Sequence, residues 1–133
     1  AKNGKTMVHI RKGDYVNWGE DLPLEYYKKC LLTHSKESNQ SEYEIFTDLQ
    51  EIDNSDSLFI NAKEIHNNLN DTGMKTLSNM HNYSNFIIAN SSLSFFSAYL
   101  GANDNSFIYY PHPWFKSIKH KPYKSKNWSP VEY

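Results

Sequence analysis

Strand-like and helix-like segments alternate along almost the whole of this 133-residue chain, and this alternation limits the folds open to it. Apolar and β-branched runs predict strands at residues 6–10, 43–47, 58–60, 85–89 and 106–110. Apolar residues at helical spacing predict helices between them, over residues 21–34, 71–80 and 93–100. We therefore expect an α/β fold, a Rossmann-like parallel sheet with helices on both faces.

The segments between these elements have loop compositions. Residues 11–15 and the Asn-rich residues 61–70 are predicted to be loops, whereas the polar stretch 50–57 can hold a short helix. Gly101 directly follows the last helical pattern, so we interpret it as the left-handed residue that closes that helix.

Composition bounds the size and the chemical class of the domain. We expect one domain over residues 1–115 and a lysine-rich C-terminal tail, 116–133, that packs on or beside it. A net charge of -1 gives no footprint for nucleic acid, and no run approaches the ~20 apolar residues of a transmembrane segment. The single cysteine, Cys30, excludes an internal disulfide and a Cys-based zinc site, and it favours the reducing cytosol.

The basic residues are unusually uneven, because 13 of the 14 are lysines and the remaining one is Arg11. Arginine binds a phosphate or carboxylate through two parallel hydrogen bonds, which lysine cannot do. Arg11 and Lys12 can therefore clamp a diphosphate, with Gly13 allowing close approach of the backbone. A solvated basic turn, with its one arginine there by chance, is the equally open alternative.

Three polar groups follow predicted strands: residues 9–14, residues 47–48 and residues 90–92. Ligands of parallel sheets bind beyond the carboxyl ends of the strands, so these groups can meet in one crevice. Each also has a plainer interpretation. His9 is as easily a core histidine as a ligand contact. Asp48 is more often a turn residue than an acceptor for a base or ribose, and the segment Asn90-Ser91-Ser92 is more often an ordinary helix cap than an anion site.

Several common signatures do not occur in the chain. It has neither the glycine pattern of dinucleotide-binding domains nor a P-loop, and its six histidines lack metal-ligand spacing. We expect no metal and no cofactor. The aromatic pair Trp114 and Phe115 can stack on a sugar or base, although a hydrophobic lid on the sheet edge is the favoured interpretation.

Four segments resemble, in order, motifs of the bacterial α-1,2-fucosyltransferases, glycosyltransferase family 11. Residues 9–16, His-Ile-Arg-Lys-Gly-Asp-Tyr-Val, resemble the family's His-x-Arg-Arg-Gly-Asp-Tyr-Val motif, and residues 45–48 resemble its Phe-Ser-Asp-Asp segment. Residues 86–96 resemble its Ile-Ile-Ala-Asn-Ser-Ser-Phe-Ser-Trp-Trp block, and residues 113–115 fit its Pro-x-x-Trp-Phe element. Lys12 and Leu49 are departures, since the family has a second arginine and a second aspartate there.

The resemblance implies an inverting, metal-independent transfer of fucose from GDP-fucose to a galactose hydroxyl of a glycan acceptor. It implies a fold like the C-terminal, donor-binding domain of a GT-B-type glycosyltransferase, with the N-terminal acceptor-binding half missing from this chain. The isolated chain is then expected to be inactive, and its location either cytoplasmic or peripheral at the inner face of the bacterial membrane.

The same resemblance suggests roles for individual residues. Arg11 would bind and stabilise the leaving diphosphate, with Lys12 beside it as a point charge, and Asp14 is the candidate base for the acceptor hydroxyl. The remaining GDP-fucose contacts would be His9 and Asp48 near guanosine, and Asn90, Ser91 and Ser92 at the phosphate and fucose end. The alternative is a non-catalytic module that binds a nucleotide or phosphate, or that binds carbohydrate through Trp114, Phe115 and Tyr109.

Overall fold

The computed structural model describes residues 4–68, 71–117 and 127–133, which contain a six-stranded sheet with every pair of neighbours parallel. Its strands are β1 (Thr6–Ile10), β2 (Glu44–Thr47), β3 (Glu64–Asn67), β4 (Asn85–Ile87), β5 (Ile108–His112) and β6 (Trp128–Glu132). They lie in the order β3-β2-β1-β4-β5-β6. The expected Rossmann-like parallel sheet is confirmed.

Helices cover both faces of this sheet, as the alternating pattern predicts. In chain order the helices are α1 (Gly13–Trp18), α2 (Leu24–Ser38), α3 (Ser57–Ile60), α4 (Gly73–Met80) and α5 (Ser92–Gly101), and those from α2 to α5 contribute to the core on the two faces. Successive strand residues point to opposite faces. Val8 and Ile10 of β1 accordingly pack in the cluster that contains α2 and α3, whereas Met7 packs in the cluster that contains α4 and α5. None of the helices in the described ranges is long and apolar enough to cross a membrane.

Buried tyrosines explain how a chain with modest aliphatic content fills its core. Tyr26 and Tyr27 of α2 are fully buried, and their rings meet edge to face with centroids 4.9 Å apart. The Tyr26 hydroxyl donates to the carbonyl of Ile88 at 2.7 Å, so its polar end is satisfied inside the core. This bond joins α2 to the end of β4, which is one side of the site described below.

Two predicted assignments near the turns are wrong. Residues 11–15 are not all loop, because α1 begins at Gly13. Residues 58–60 are not a strand, because they form α3, and no helix precedes Ser57 in the stretch 50–57. The Asp56 carboxylate accepts the N–H of Leu58 at 2.9 Å and starts α3 as an N-cap, a signal that the short apolar run conceals.

The edge strands β3 and β6 are also absent from the sequence prediction. β3 lies in the Asn-rich segment predicted to be a loop, and it pairs with β2 from Glu44↔Glu64 to Thr47↔Asn67. β6 lies in the predicted tail and pairs with β5, so residues 128–132 belong to the sheet. The lysine-rich residues 118–126 of the predicted tail lie outside the described residues.

Candidate functional site

The strand order places a topological switch point between β1 and β4. From β1 the chain moves outward to β2 and β3, and from β4 it moves outward to β5 and β6 on the other side. In such sheets the crevice for ligands opens beyond the carboxyl ends of the two central strands. Residues 11–13 follow β1 and residues 90–92 follow β4, so the structure brings these two predicted groups to the same edge of the sheet.

The turn after β1 is held by Asp48, which follows the neighbouring strand β2. Its Oδ1 accepts the backbone N–H of Lys12 at 2.8 Å, and its Oδ2 lies 3.3 Å from Nε of Arg11. Asp48 therefore joins the second predicted polar group, residues 47–48, to the first, residues 9–14. Because both of its oxygens face the turn, its observed contacts are those of a turn residue that orients Arg11.

The carboxylate of Asp48 lies against Gly13 and disfavours a side chain there. The φ of Gly13 is +24°, a conformation that side chains rarely adopt, and a Cβ atom there would lie 2.7 Å from Oδ2 of Asp48. The sequence suggests that Gly13 allows close approach of the backbone to a phosphate. In the structure the group that approaches it is the carboxylate of Asp48.

The two cations of the turn are placed differently. Lys12 Nζ donates to Asp21 Oδ2 at 3.1 Å and to the carbonyl of Leu22 at 2.6 Å, which ties the turn to the segment before α2. The Arg11 side chain is 32% exposed, and its guanidinium carbon lies 5.2 Å from the centre of the Tyr15 ring. Arg11 is thus the more exposed of the two cations, with contacts to Asp48 and Tyr15, while the ammonium of Lys12 is engaged by Asp21 and Leu22.

His9 lies beneath the turn and is fully buried. Its Nδ1 is hydrogen-bonded to Oγ of Ser94 in α5. Burial, reinforced by the charge of Arg11, lowers the pKa of His9 to about 3, so the ring is neutral at physiological pH. Its Nε2 has no hydrogen-bond partner among the described residues. His9 is therefore a core residue that retains one unused polar atom at the base of the site.

The segment after β4 forms the other wall. Ser91 is the N-cap of α5, its hydroxyl accepting the N–H of Ser94 at 3.4 Å, and Ser92 is the exposed first residue of the helix. Asn90 donates through Nδ2 to the carbonyl of Glu20 at 2.8 Å. Its Oδ1 is buried and has no partner in the described part of the chain. The ordinary cap interpretation is therefore correct for Ser91, and the helix N-terminus also opens toward the switch point.

Glu20 is a part of this wall that sequence reasoning missed. Its carboxylate accepts the backbone N–H groups of Lys116 at 2.9 Å and of Ser117 at 3.3 Å. The segment between α1 and α2 is thereby joined to Asn90 on one side and to the chain after β5 on the other. No local pattern predicts these contacts, because their partners lie 70 or more residues away.

Asp14 is the second residue of α1, so its backbone lies beyond the carboxyl end of β1, at the edge of the sheet where the crevice opens. Its side chain is outside what the structure describes, so its assignment as a base stays a prediction. Among the aromatic candidates, Tyr109 is buried and its hydroxyl donates to Glu37 at 2.7 Å, while Trp114 packs against the core cluster beneath α4 and α5. Trp114 thus has the packing expected of a lid.

A second polar cluster lies where β2 and β3 begin, away from the switch point. The buried carboxylate of Glu44 accepts from His66 Nε2 and from the Tyr83 hydroxyl, each at 2.8 Å, and pairs with Lys5 at 3.1 Å. Glu44, Glu64 and His66 also place their ligand atoms within 4.8 Å of one another, as a metal site would require. Three donors already contact Glu44, and a metal cation would have to displace the ammonium of Lys5, so we interpret this cluster as structural.

Glu44→Gln is expected to lower the free energy of unfolding by about 1–1.5 kcal/mol at pH 7, since charge-assisted hydrogen bonds become ordinary ones. Burial raises the pKa of Glu44, but the hydrogen bonds from His66, Tyr83 and Lys5 outweigh it and hold the pKa below the ordinary 4.5. The stabilisation is therefore complete above pH 4.5 and is lost as the pH falls through the lower value. Urea unfolding from about pH 7 to about pH 3 should show the two proteins converging in acid.

Glu42→Gln is the matched control for that comparison. Glu42 is 81% exposed and its carboxylate lies 3.8 Å from Lys63 Nζ, so its removal should change stability by less than about 0.5 kcal/mol at any pH. If the difference in unfolding free energy between the Glu44 variant and the parent stays constant down to about pH 3, the assignment of a lowered pKa to Glu44 is wrong.

Comparisons with known proteins give this chain no family. No protein-family model, curated protein or solved structure matches it. Its function is therefore inferred from the geometry of the switch point, together with the resemblance of the motifs that lie there.

Proposed function

We propose that the crevice beyond β1 and β4 binds the diphosphate of GDP-fucose, and that the chain is the donor-binding part of a galactoside α-1,2-fucosyltransferase. In this proposal the enzyme transfers fucose to a galactose hydroxyl of a glycan acceptor, with the overall arrangement of a GT-B-type glycosyltransferase. The support is that three of the four segments resembling the family's motifs, residues 9–16, 45–48 and 86–96, meet at the switch point, while residues 113–115 follow β5.

One observation carries the proposal. Arg11 and the N-terminus of α5 follow the two central strands at the same edge of the sheet, and two buried polar atoms close to them in the chain, His9 Nε2 and Asn90 Oδ1, lack hydrogen-bond partners in the described residues. A buried polar atom without a partner costs about 1–3 kcal/mol, so such atoms are usually completed by a ligand or water. The two positive groups select an anionic ligand, and that ligand must also carry a hydroxyl or N–H group for Asn90 Oδ1, which can only accept.

Each group has a chemical role in the proposed reaction. Arg11 makes two parallel hydrogen bonds to the diphosphate, and the dipole of α5 adds partial positive charge where the leaving group accumulates negative charge. Asp48 orients the guanidinium through its 3.3 Å contact with Nε. The acceptor hydroxyl loses its proton to a base, for which Asp14 is our candidate.

GDP and GDP-fucose are expected to bind this chain without a divalent metal, because a guanidinium and a helix N-terminus already supply positive charge. Isothermal calorimetry in the presence of a chelator tests this, with free fucose as the third titrant. Binding of GDP and GDP-fucose but not of fucose supports the donor site. Binding that vanishes on chelation and returns with Mg²⁺ contradicts metal independence, and binding of fucose alone favours a carbohydrate-binding module instead.

We also propose a cytoplasmic location, with a peripheral position at the inner face of the bacterial membrane. A nucleotide-sugar donor site and a free, buried thiol, Cys30, are both suited to a reducing compartment. Fractionation of cells that express the full-length protein, with and without a high-salt wash, distinguishes a peripheral from a freely soluble location.

A further inference from the structure

Ser94 makes two contacts that no local sequence pattern reveals, and together they constrain the His9 ring. Its Oγ accepts the backbone N–H of Ala89 at 3.2 Å. The same Oγ is hydrogen-bonded to Nδ1 of His9. Both residues are fully buried, so water does not compete for these bonds.

The direction of the hydrogen bond from Ala89 decides the direction of the hydrogen bond between Ser94 and His9. A backbone N–H can only donate, so one lone pair of Ser94 Oγ is used by Ala89. Its own proton then needs an acceptor, and within the described residues Nδ1 of His9 is the one in reach. If Nδ1 carried the proton instead, Oγ would accept twice and its buried hydroxyl proton would have no partner, which is costly.

We infer that Ser94 is a positioning residue that holds the His9 ring as the tautomer with its proton on Nε2, so that Nε2–H donates to an acceptor atom of the bound GDP. The contact is direct or passes through one bridging water. The inference deepens the proposed function and rests on it for the identity of the ligand, but the tautomer itself does not depend on any ligand.

The position of His9 supports the ligand part of the inference. His9 is the next-to-last residue of β1, two residues before Arg11, and its ring lies on the side of the sheet covered by α5. Nε2 is the ring nitrogen left without a partner in the described residues. Because the pKa of His9 is lowered to about 3, mainly by burial, this donor keeps the same protonation through the whole physiological range.

Long-range ¹H–¹⁵N spectra of the histidine-labelled chain test the tautomer, because they separate protonated from unprotonated ring nitrogens. The His9 signals are assigned by their loss in His9→Gln. We expect an unprotonated Nδ1 and a protonated Nε2 at neutral pH, and Ser94→Ala should abolish this preference. A protonated Nδ1 in the parent chain, or an unchanged tautomer in Ser94→Ala, would overturn the inference.

Ser97→Ala is the matched control, since Ser97 is buried in the same helix and its hydroxyl donates to the carbonyl of Leu93 at 2.7 Å. It should leave the His9 signals and GDP affinity unchanged. Ser94→Ala should weaken GDP binding about three- to tenfold, the loss expected for one neutral hydrogen bond.

Addition of GDP separates this inference from the proposed function. GDP that binds by calorimetry and shifts the Nε2 signal supports both. GDP that binds without shifting Nε2 overturns the ligand contact while leaving the donor site in place. If GDP does not bind at all, the proposed function fails, and the spectrum of the parent chain still decides whether Ser94 sets the tautomer.

Discussion

Gly101→Ala is expected to destabilise the protein by about 3 kcal/mol, because overpacking of this severity exceeds what a core absorbs by small shifts. A Cβ atom at Gly101 would lie 2.4 Å from the carbonyl oxygen of His81 and 2.6 Å from Cζ of Phe86. His81 is the C-cap residue that follows α4, and Phe86 is a fully buried residue of β4. A backbone carbonyl cannot rotate away as a side chain does, so α5 must move off α4 and off the sheet.

Thermal and urea unfolding measure this effect. For a chain of this size, about 3 kcal/mol corresponds to a fall in Tm of roughly 10–15 °C. Gly73→Ala is the control, since Gly73 is the exposed first residue of α4 and a Cβ atom added there would meet nothing within 4 Å. That variant should match the parent within about 0.5 kcal/mol. Equal stability of the two glycine variants would show that α5 can shift at little cost.

The interpretation of Gly101 as a left-handed residue that closes α5 is wrong, although α5 does end at Gly101. A glycine after a helical pattern favours a left-handed end of the helix. In the structure the positive φ angles of described glycines occur at Gly4, Gly13 and Gly19, and Gly101 is instead the last residue of α5, where close packing requires it. The position of this glycine in the helical pattern predicted that it matters. The physical reason is its close packing against neighbours 15 and 20 residues away in the sequence.

The central strands were predictable because their burial is recorded in their own composition. All five residues of β1 are buried, as are those of β2 and β4, and continuous apolar or β-branched runs are typical of such strands. Edge strands have one neighbour and a solvated side, so β3 has the composition of a loop and three of its four residues are exposed. Their pairing with β2 is a tertiary contact that a local pattern does not contain.

The candidate site likewise has features that the sequence predicts and features that it does not. Its location followed from strand ends alone, because a parallel sheet brings the residues after neighbouring strands to one edge. The contacts that shape it did not, since Lys12 and Asp48 are 36 residues apart and His9 and Ser94 are 85 apart. For such distant pairs the sequence shows only the type of each residue, for example a glycine at the position that a carboxylate approaches.

Arg11→Ala is expected to weaken GDP binding on the order of a hundredfold, since two charge-assisted hydrogen bonds, worth roughly 1.5–3 kcal/mol each and not fully additive, are lost. Arg11→Lys keeps the charge but loses the planar fork, so it should cost about tenfold or more. Neither variant should move Tm by more than a few degrees, because a partly exposed ion pair contributes about 0–1 kcal/mol to folding. Calorimetry and thermal unfolding of the same preparations measure both quantities.

Lys12→Ala and Lys63→Ala make the Arg11 comparison decisive. The ammonium of Lys12 is engaged by Asp21 and the carbonyl of Leu22, so its loss should lower stability more than affinity, the opposite of the Arg11 pattern. Lys63, at the far edge of the sheet, controls for removal of one positive charge and should leave GDP binding unchanged. A folded Arg11→Ala protein that binds GDP like the Lys63 control would show that the turn after β1 is only a solvated turn. A loss of affinity confined to the Arg11 variants would instead place the diphosphate at the guanidinium, since the three alanine substitutions remove the same charge from different positions.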